Sequence, residues 1–191
     1  MSRRTAVWVA AAVLVIAVTA VWLLSRGSRR TAGPEGLPGT TSPIALSTAP
    51  EIELQLLFPD FAGGLRTETR TISNPGSLEE IVRRTVEELL VGPAESGRVA
   101  PFPPTIEVAN VFVSTDGTAY VDLTSPDETP PPPSGSRQEL VTVYSVVNSI
   151  LLTAPELDGV ALLWNGVQRA SFAGHLDTSR PLRVKRDLIT R

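Results

Sequence analysis

The side chains with the greatest potential for catalysis surround the single histidine, His175. Two serines, Ser171 and Ser179, and two acids, Asp177 and Asp122, supply the other residue types of a serine–histidine–acid triad. Such a triad needs its serine on a strained, exposed turn beside backbone donors for an oxyanion. The chain contains no Gly-x-Ser-x-Gly sequence. We therefore predict no catalytic residues and expect His175 to be a loop residue that hydrogen-bonds locally.

Metal and cofactor chemistry is equally short of suitable side chains. The 191 residues include one histidine and no cysteine, which leaves few ligands for a transition-metal site. The lack of cysteine also excludes disulfides, thiol catalysis and a lipid-modified cysteine. Gly63-Gly64 is too short to cradle a phosphate. We expect no metal, no cofactor, no known small-molecule substrate and no enzymatic activity.

Two further polar residues, besides His175, are candidates for structural roles. Asp122 is separated only by Leu123 from Thr124-Ser125-Pro126, which is ordinary turn chemistry, so capping a turn is favoured over an ion pair with Arg70. Asn148 lies among apolar and small residues of a predicted helix, and a buried amide needs hydrogen-bond partners. We expect Asn148 to hold the register between that helix and the sheet.

Charged residues also alternate with threonines along a predicted edge strand. Arg66, Glu68 and Arg70 form this candidate interaction edge. A solvated edge whose charges discourage sheet-to-sheet aggregation is the favoured interpretation, and a charged recognition edge for a partner is the alternative.

The distribution of charge argues against a nucleic-acid partner. Residues 1–30 contain five arginines and no acid, so the rest of the chain carries 12 basic and 20 acidic residues, a balance of −8. Phosphate neutralisation supplies most non-specific affinity for nucleic acid. An acidic domain is poorly suited to it.

An uncharged segment near the amino terminus predicts attachment to a membrane. Residues 5–24 carry no charge, and twenty helical residues span about 30 Å, the thickness of a bilayer core. We predict a single transmembrane helix with residues 1–4 in the cytoplasm and the remainder outside. The alternative is a cleaved signal peptide, for which Val18-Thr19-Ala20 resembles a cleavage site. Residues 25–50, rich in Gly, Pro, Ser and Thr, are predicted to be a flexible linker.

The remaining chain alternates short strands with two helices in the order β-β-α-β-β-α-β. The helices are predicted to begin at the capping boxes Ser77–Glu80 and Ser136–Glu139 and to end before Gly92-Pro93 and Pro155. Strands with period-two or continuous apolar patterns are predicted over Glu51–Phe58, Leu65–Ile72, Thr105–Ser114, Thr118–Leu123 and Val160–Trp164.

Turn chemistry joins two of these strands into a hairpin. Asp116-Gly117 predicts a two-residue type I′ turn, and the pattern around Val108–Val111 predicts a bulge. Pro130–Pro133 predicts a stiff rod, more often a spacer than a docking ligand.

These elements predict an α/β (α+β) domain over residues 51–185, followed by a basic tail at 186–191. Two amphipathic helices suffice to cover one face of a sheet of this size. We expect two layers, with both helices packed on one face of a four- to five-stranded mixed sheet.

An ordered set of residues across this domain resembles the GerMN domain of sporulation and spore-germination proteins. The set comprises Leu65, Glu68, Arg70, Ile72, Glu88–Pro93, Pro103, Thr105, Asp116–Leu123, Tyr144–Ser149, Gly174–Asp177, Pro181 and Leu182. The resemblance implies a bacterial extracytoplasmic domain, anchored by a lipid or a membrane helix, without enzymatic activity. It also implies a fold similar to the ring-building modules of envelope-spanning sporulation complexes.

The sequence departs from the family pattern at two positions and in its means of attachment. Pro104 stands in place of a small turn residue, and Ser149 in place of threonine. The chain also lacks the lipid-anchoring cysteine of several members.

We therefore expect a non-catalytic interaction module, tethered to the cell membrane, whose partners are cell-envelope proteins or further copies of itself. The alternative is a domain that binds a small ligand or a cell-wall glycan through the loops at 166–181.

Overall fold

The structure is a computed structural model that describes residues 50–126 and 129–190. These belong to one compact unit, Leu46–Arg191. The predicted cytoplasmic residues 1–4, the transmembrane segment 5–24 and nearly all of the linker 25–50 lie outside the described residues. Within the described residues, neither helix combines the length and apolar character needed to cross a membrane.

The domain consists of short strands around two helices, in nearly the predicted order. The elements are β1 (Glu51–Pro59), β2 (Leu65–Ser73), α1 (Leu78–Val91), β3 (Glu107–Val113), β4 (Thr118–Thr124), α2 (Ser136–Thr153), β5 (Gly159–Trp164), β6 (Val167–Gln168), a 3-10 turn (Arg186–Leu188) and β7 (Ile189–Thr190). The residues predicted as a basic tail, up to Thr190, therefore form the 3-10 turn and β7.

The α+β class is confirmed, but the prediction of one sheet is wrong, because the strands form two mixed sheets. The first has the order β1-β2-β7, with β1 antiparallel to β2 and β7 parallel to it. The second has the order β3-β4-β5-β6, in which only β4 and β5 run parallel. Helix α2 contacts both β1 of the first sheet and β5 of the second.

The reason for the second sheet lies in the burial of α2. Every residue from Val141 to Leu151 is buried, so this helix is covered all round rather than along one stripe. A helix buried in this way belongs in the interior of a domain. Its apolar stripe alone had indicated a helix with one solvated face.

Hydroxyl side chains of α2 close the free edge of β1. Thr153 Oγ1 accepts a hydrogen bond from Gln55 N at 2.8 Å, and Ser149 Oγ accepts one from Leu57 N at 2.8 Å. Ser145 Oγ donates to Leu57 O. The three hydroxyl residues recur every fourth position and therefore lie along one line of the helix surface. Backbone groups that would otherwise be buried without partners are thereby satisfied.

The two hairpin turns of the second sheet differ in geometry. Asn165 and Gly166 both have positive φ, 52° and 76°, and join the paired residues Trp164 and Val167, as a two-residue type I′ turn requires. Only Gly117 is positive in the other hairpin, at φ 80°, and Ser114 N bonds to Thr118 O. The type I′ prediction at Asp116-Gly117 is therefore wrong, and the loop has three residues.

The bulge in β3 is confirmed, since its register with β4 shifts between Val108 and Asn110. The first capping box is present in part, with Ser77 Oγ accepting from Glu80 N at 3.2 Å. The second is absent. Gly135 is the N-cap of α2 without any side-chain cap, and the Glu139 carboxylate has other partners.

Candidate functional site

Glu139 lies at the centre of the most strongly organised loop in the domain. The residue is 1% exposed, and its side chain accepts backbone hydrogen bonds from Ala173 N at 2.7 Å, His175 N at 2.8 Å and Leu176 N at 3.1 Å. The His175 Nδ1 atom lies 3.0 Å from the second carboxylate oxygen. One buried carboxylate from α2 therefore holds the backbone of the 173–176 loop.

These contacts also keep Glu139 ionised. Burial opposes ionisation and would raise the pKa of Glu139, but the hydrogen bonds from the backbone of Ala173, Leu176 and His175 and from the His175 ring outweigh it, so that the pKa lies below its usual value. A carboxylate that is already charged and fully occupied by donors is an anchor for backbone and is badly placed to exchange protons with a substrate.

Two clefts flank the Glu139 anchor. A cleft of about 300 Å³ is lined by Ser136, Arg137, Leu140, His175 and Leu176. A second cleft, of about 210 Å³, has an apolar wall that includes Phe102 and Phe172 and a polar wall from α2.

Aromatic rings pack behind the second cleft. The ring centroids of Trp164 and Phe172 are 5.4 Å apart, and Phe102 lies 6.3 Å from Trp164. Trp164 Nε1 donates to Thr129 O at 2.7 Å, which fixes the start of the proline segment. Pro131 is buried, and Pro132 and Pro133 line the cleft. The proline rod therefore lies against its own domain.

The residues of the hypothetical triad do not assemble around His175. Ser171 Oγ points towards Glu139 and accepts from Gly174 N at 2.9 Å. Asp177 Oδ1 accepts from both the backbone and the hydroxyl of Ser179, at 2.9 and 2.6 Å. The described residues thus contain no serine that donates to the His175 ring, whose carboxylate neighbour is the distant Glu139 rather than a local residue.

Asp122 lies in β4 of the second sheet. Its Oδ1 accepts from Gly166 N at 2.8 Å, so Asp122 is bonded to the type I′ turn that follows β5. Asn165, the other central residue of this turn, accepts from Ser125 N at 3.0 Å. Arg70 is not a partner of Asp122.

Asn148 joins helix α2 to the carboxyl-terminal segment. Its Nδ2 donates to Lys185 O at 2.9 Å, and its Oδ1 accepts from Lys185 N at 2.8 Å. The amide is fully buried, and its two bonds resemble those of a neighbouring strand. The segment it holds continues into β7, which pairs with β2.

The three charged residues of the candidate interaction edge do not form one exposed surface. Glu68 is 6% exposed and accepts from Arg70 Nη2 at 2.7 Å and from Ala94 N at 3.1 Å. Arg70 also bonds Glu88 at 2.9 Å. Arg66 is half-exposed and lies 3.3 Å from Asp60. Two of the three side chains are therefore directed into the domain.

Burial alone would raise the pKa of Glu68, but hydrogen bonds from Arg70 and from the backbone of Ala94 and Glu95 outweigh it and lower the pKa. Because Glu68 has little access to water, removing Arg70 would leave a buried charge without its ion-pair partner, which is strongly destabilising.

Sequence reasoning missed two buried carboxylates that organise loops. Glu139 fits the last position of a capping box, and that pattern assigns its side chain to the helix terminus. Asp60 follows β1, and it accepts from Gly64 N at 2.8 Å and from Thr190 Oγ1 at 3.1 Å. The bond from Gly64 N is the largest influence on Asp60 and lowers its pKa. Neither long-range contact leaves a local signal in the sequence.

Within residues 50–126 and 129–190, no group of three or more His, Asp or Glu side chains converges as a metal ion would require.

Comparisons with known proteins give a consistent result. The sequence model of the Germane family, described as "Sporulation and spore germination", matches residues 55–170. No curated protein matches the chain.

Three solved structures share the fold. A protein from Clostridium perfringens described as a lipoprotein is 21% identical with a TM-score of 0.50, covering 72% of this chain and 90% of its own. The tandem GerMN domains of the sporulation protein GerM from Bacillus subtilis are 22% identical with a TM-score of 0.56, covering 70% of this chain and 46% of that one. The first GerMN domain of the same protein, solved alone, is 22% identical with a TM-score of 0.50, covering 71% of this chain and 98% of that one.

Proposed function

Because the chain belongs to the Germane family of sporulation and spore-germination domains, we propose that it is a non-catalytic module that works by binding cell-envelope proteins or further copies of itself. The resemblance to GerMN domains read from the ordered residue set is confirmed. The binding role is our inference.

The proposal depends mainly on one observation, that the buried carboxylates hold loops and turns of their own domain. Asp60, Glu68, Asp122 and Glu139 are all buried, and each accepts at least one backbone N–H from a loop or turn. General acid–base catalysis needs a group within reach of a substrate proton. Carboxylates enclosed by their own backbone serve the fold instead, and they leave the outer surfaces for function.

We further propose that residues 5–24 tether the domain to the outer side of the cytoplasmic membrane. The uncharged length of this segment supports the tether, and the lipoprotein description of one similar structure supports an envelope location. Attachment would raise the local concentration of the domains, which favours weak contacts.

Co-purification of two differently tagged full chains tests the binding role. When both are produced in one cell and extracted in mild detergent, capture of one should recover the other. The matched control fuses residues 1–50 to an unrelated soluble domain, since association through the anchor alone would persist there. If the full chain recovers no more of its tagged partner than the control fusion does, self-association of the domain is contradicted. If the full chain also captures no envelope protein in a fixed ratio, the proposed binding role is contradicted altogether.

Cysteine labelling tests the topology, because the chain has no native cysteine. Phe61 is 82% exposed, so Phe61→Cys should react with a membrane-impermeant maleimide in intact cells. The matched control, Ser2→Cys, should react only after the cells are opened. The reverse pattern would place the domain in the cytoplasm.

A cleft offers a second candidate function. The 300 Å³ cleft beside His175 combines the side chains of Arg137, Ser136 and Leu140, and its size lies at the lower end of small-ligand sites. A glycan fragment that binds there must raise the melting temperature of the full chain by mass action. Loss of that rise in Arg137→Ala would assign the ligand to this cleft, and no rise with any fragment would remove this candidate.

A further inference from the structure

The free edges of the two sheets are protected unequally. The edge of β1 is bonded to hydroxyls of α2, and Val99 N bonds to Pro59 O at its end. At two other edges, β6 and β7 contain only two residues each. Strand β3 has seven residues, and among the residues the structure describes no second strand pairs with its outer side.

The composition of β3 makes this open edge unusual. Residues 108–115, Val-Ala-Asn-Val-Phe-Val-Ser-Thr, carry no charge. Natural edge strands commonly use charges, prolines or bulges to prevent pairing with another chain. The bulge at Val108–Asn110 and a bond from Arg83 Nη1 to Val108 O at 3.3 Å protect the first half of the strand. The second half has neither.

The pairing pattern shows which backbone groups are free. Ser114 N bonds to Thr118 O, and hydrogen-bonded and non-hydrogen-bonded residues alternate along an antiparallel ladder. The backbone groups of Asn110 and Phe112 therefore point towards β4. Those of Val111 and Val113 point outward, so two N–H and two C=O groups are available in a short row.

An exposed aromatic ring lies beside this row. Phe112 is 60% exposed and contacts Tyr120 of β4, with 6.2 Å between the ring centroids. The side chains of Val111 and Val113 pack towards the core. A strand added at this edge would extend the sheet and cover the Phe112 ring on its outer face.

We propose that β3 pairs antiparallel with β3 of a second copy of this chain, with the two Phe112 residues opposite each other on a two-fold axis. This inference rests on the proposed binding function and names its surface. With that register, Val111 of each copy faces Val113 of the other and exchanges both hydrogen bonds, giving four in total. The two Phe112 side chains occupy a non-hydrogen-bonded pair, where facing side chains are closest.

Charge is compatible with a second copy in this register. Residues 110–114 of the two copies face each other in this register, and none of them is charged. No two acids are therefore opposed across the contact. The domains are acidic overall, so their long-range repulsion should weaken pairing at low ionic strength and salt should strengthen it.

The absence of native cysteine makes disulfide trapping a direct test. In membranes containing the full chain, mild oxidation of Phe112→Cys should give a disulfide-linked dimer, because facing residues of an antiparallel pair satisfy disulfide geometry. Val167→Cys is the matched control, since Val167 is 57% exposed at the opposite edge of the same sheet. It should stay largely monomeric.

Phe112→Cys removes the Phe112 ring and could itself weaken the contact, so a second variant keeps the ring. Asn110 and Ser114 face each other across the axis, and within one strand they lie about 13 Å apart, too far for a disulfide. Asn110→Cys with Ser114→Cys in one chain should therefore form dimers and keep Phe112. If neither this variant nor Phe112→Cys exceeds Val167→Cys, the proposed contact is overturned.

A charge substitution separates this inference from the proposed function. Phe112→Asp places two carboxylates opposite each other and should abolish co-purification of two tagged full chains, whereas Phe61→Asp, at another exposed ring, should not. Co-purification that survives Phe112→Asp would overturn the β3 contact while keeping self-association. Loss of co-purification in the unaltered chain together with absent crosslinking would overturn the β3 contact and self-association, and the proposed function would then depend on envelope partners alone.

Discussion

At the scale of single residues, one carboxylate holds a loop to the central helix. Glu139 gathers three backbone N–H groups and the His175 ring. Glu139→Gln keeps the shape but replaces one acceptor oxygen by a donor, which would face other donors. We expect it to lower the free energy of unfolding by about 3 kcal/mol, since buried donors lose a charged partner.

Urea denaturation of the full chain in detergent measures this change. Glu156→Gln is the matched control, because Glu156 is exposed and has no such partners among the described residues. Equal midpoints for the two variants would show that the loop does not depend on Glu139.

The same carboxylate predicts how stability depends on pH. The pKa values of Glu139, Glu68 and Asp60 are all lowered in the folded domain. Their contribution is therefore complete above the unfolded pKa of about 4 and is lost as the pH falls through the lower folded values. The urea midpoint should fall between pH 7 and pH 3.

Glutamine cannot titrate, so the urea midpoint should fall less between pH 7 and pH 3 in Glu139→Gln than in the unaltered chain. In Glu156→Gln it should fall as much as in the unaltered chain. An equally steep fall in Glu139→Gln would assign the acid sensitivity to other groups.

Local sequence patterns identified which polar residues are structurally important, but not the residues to which they hydrogen-bond. Asn148 and Asp122 could be singled out because an amide in an apolar helix and an acid at a strand end are anomalies. Their partners, Lys185 and Gly166, are 37 and 44 residues away. Glu139 fitted a local motif, and a side chain that satisfies a local rule gives no sign of a stronger distant partner.

At the scale of elements, helix α2 substitutes for a neighbouring strand of β1. Ser149→Ala removes the acceptor for Leu57 N and leaves a buried donor unpaired, at a cost of about 1–3 kcal/mol. Thermal unfolding of the full chain measures it.

Two controls make that result specific to the hydroxyl contact. Ser136→Ala, at the exposed first residue of the same helix, should change the melting temperature little. Ser149→Thr keeps the hydroxyl and should retain most of the stability. A Ser149→Ala protein as stable as Ser136→Ala would contradict the edge-closing role.

The elements themselves were largely predictable, because each is bounded by strong local signals. Gly92-Pro93 ends α1, and alternation of Ile52, Leu54 and Leu56 marks β1. The hairpin at Asp116-Gly117 shows the limit of such signals. Asp followed by Gly suits both two- and three-residue loops, and the register of the strands decides between them.

At the scale of the whole molecule, the arrangement in two sheets was not predictable from the apolar stripe of α2. Small polar residues such as Ser145, Asn148 and Ser149 are compatible with a solvated helix face, but here they bond to β1 and to the carboxyl-terminal segment. The segment 182–190 then connects the sheets, through a bridge between Leu182 and Val160 and through β7. Its short strands carry almost no periodic signal.

The central proposal is that the conspicuous charged residues hold the fold while the domain acts by association. The mass of the complex tests this most directly. Light scattering on the detergent-extracted full chain, with the detergent contribution subtracted, should give the mass of at least two copies, or of one copy with a partner in fixed ratio. The Glu156→Gln variant should give the same mass. A complex that contains one copy and no partner, at every protein and salt concentration, would contradict the proposal.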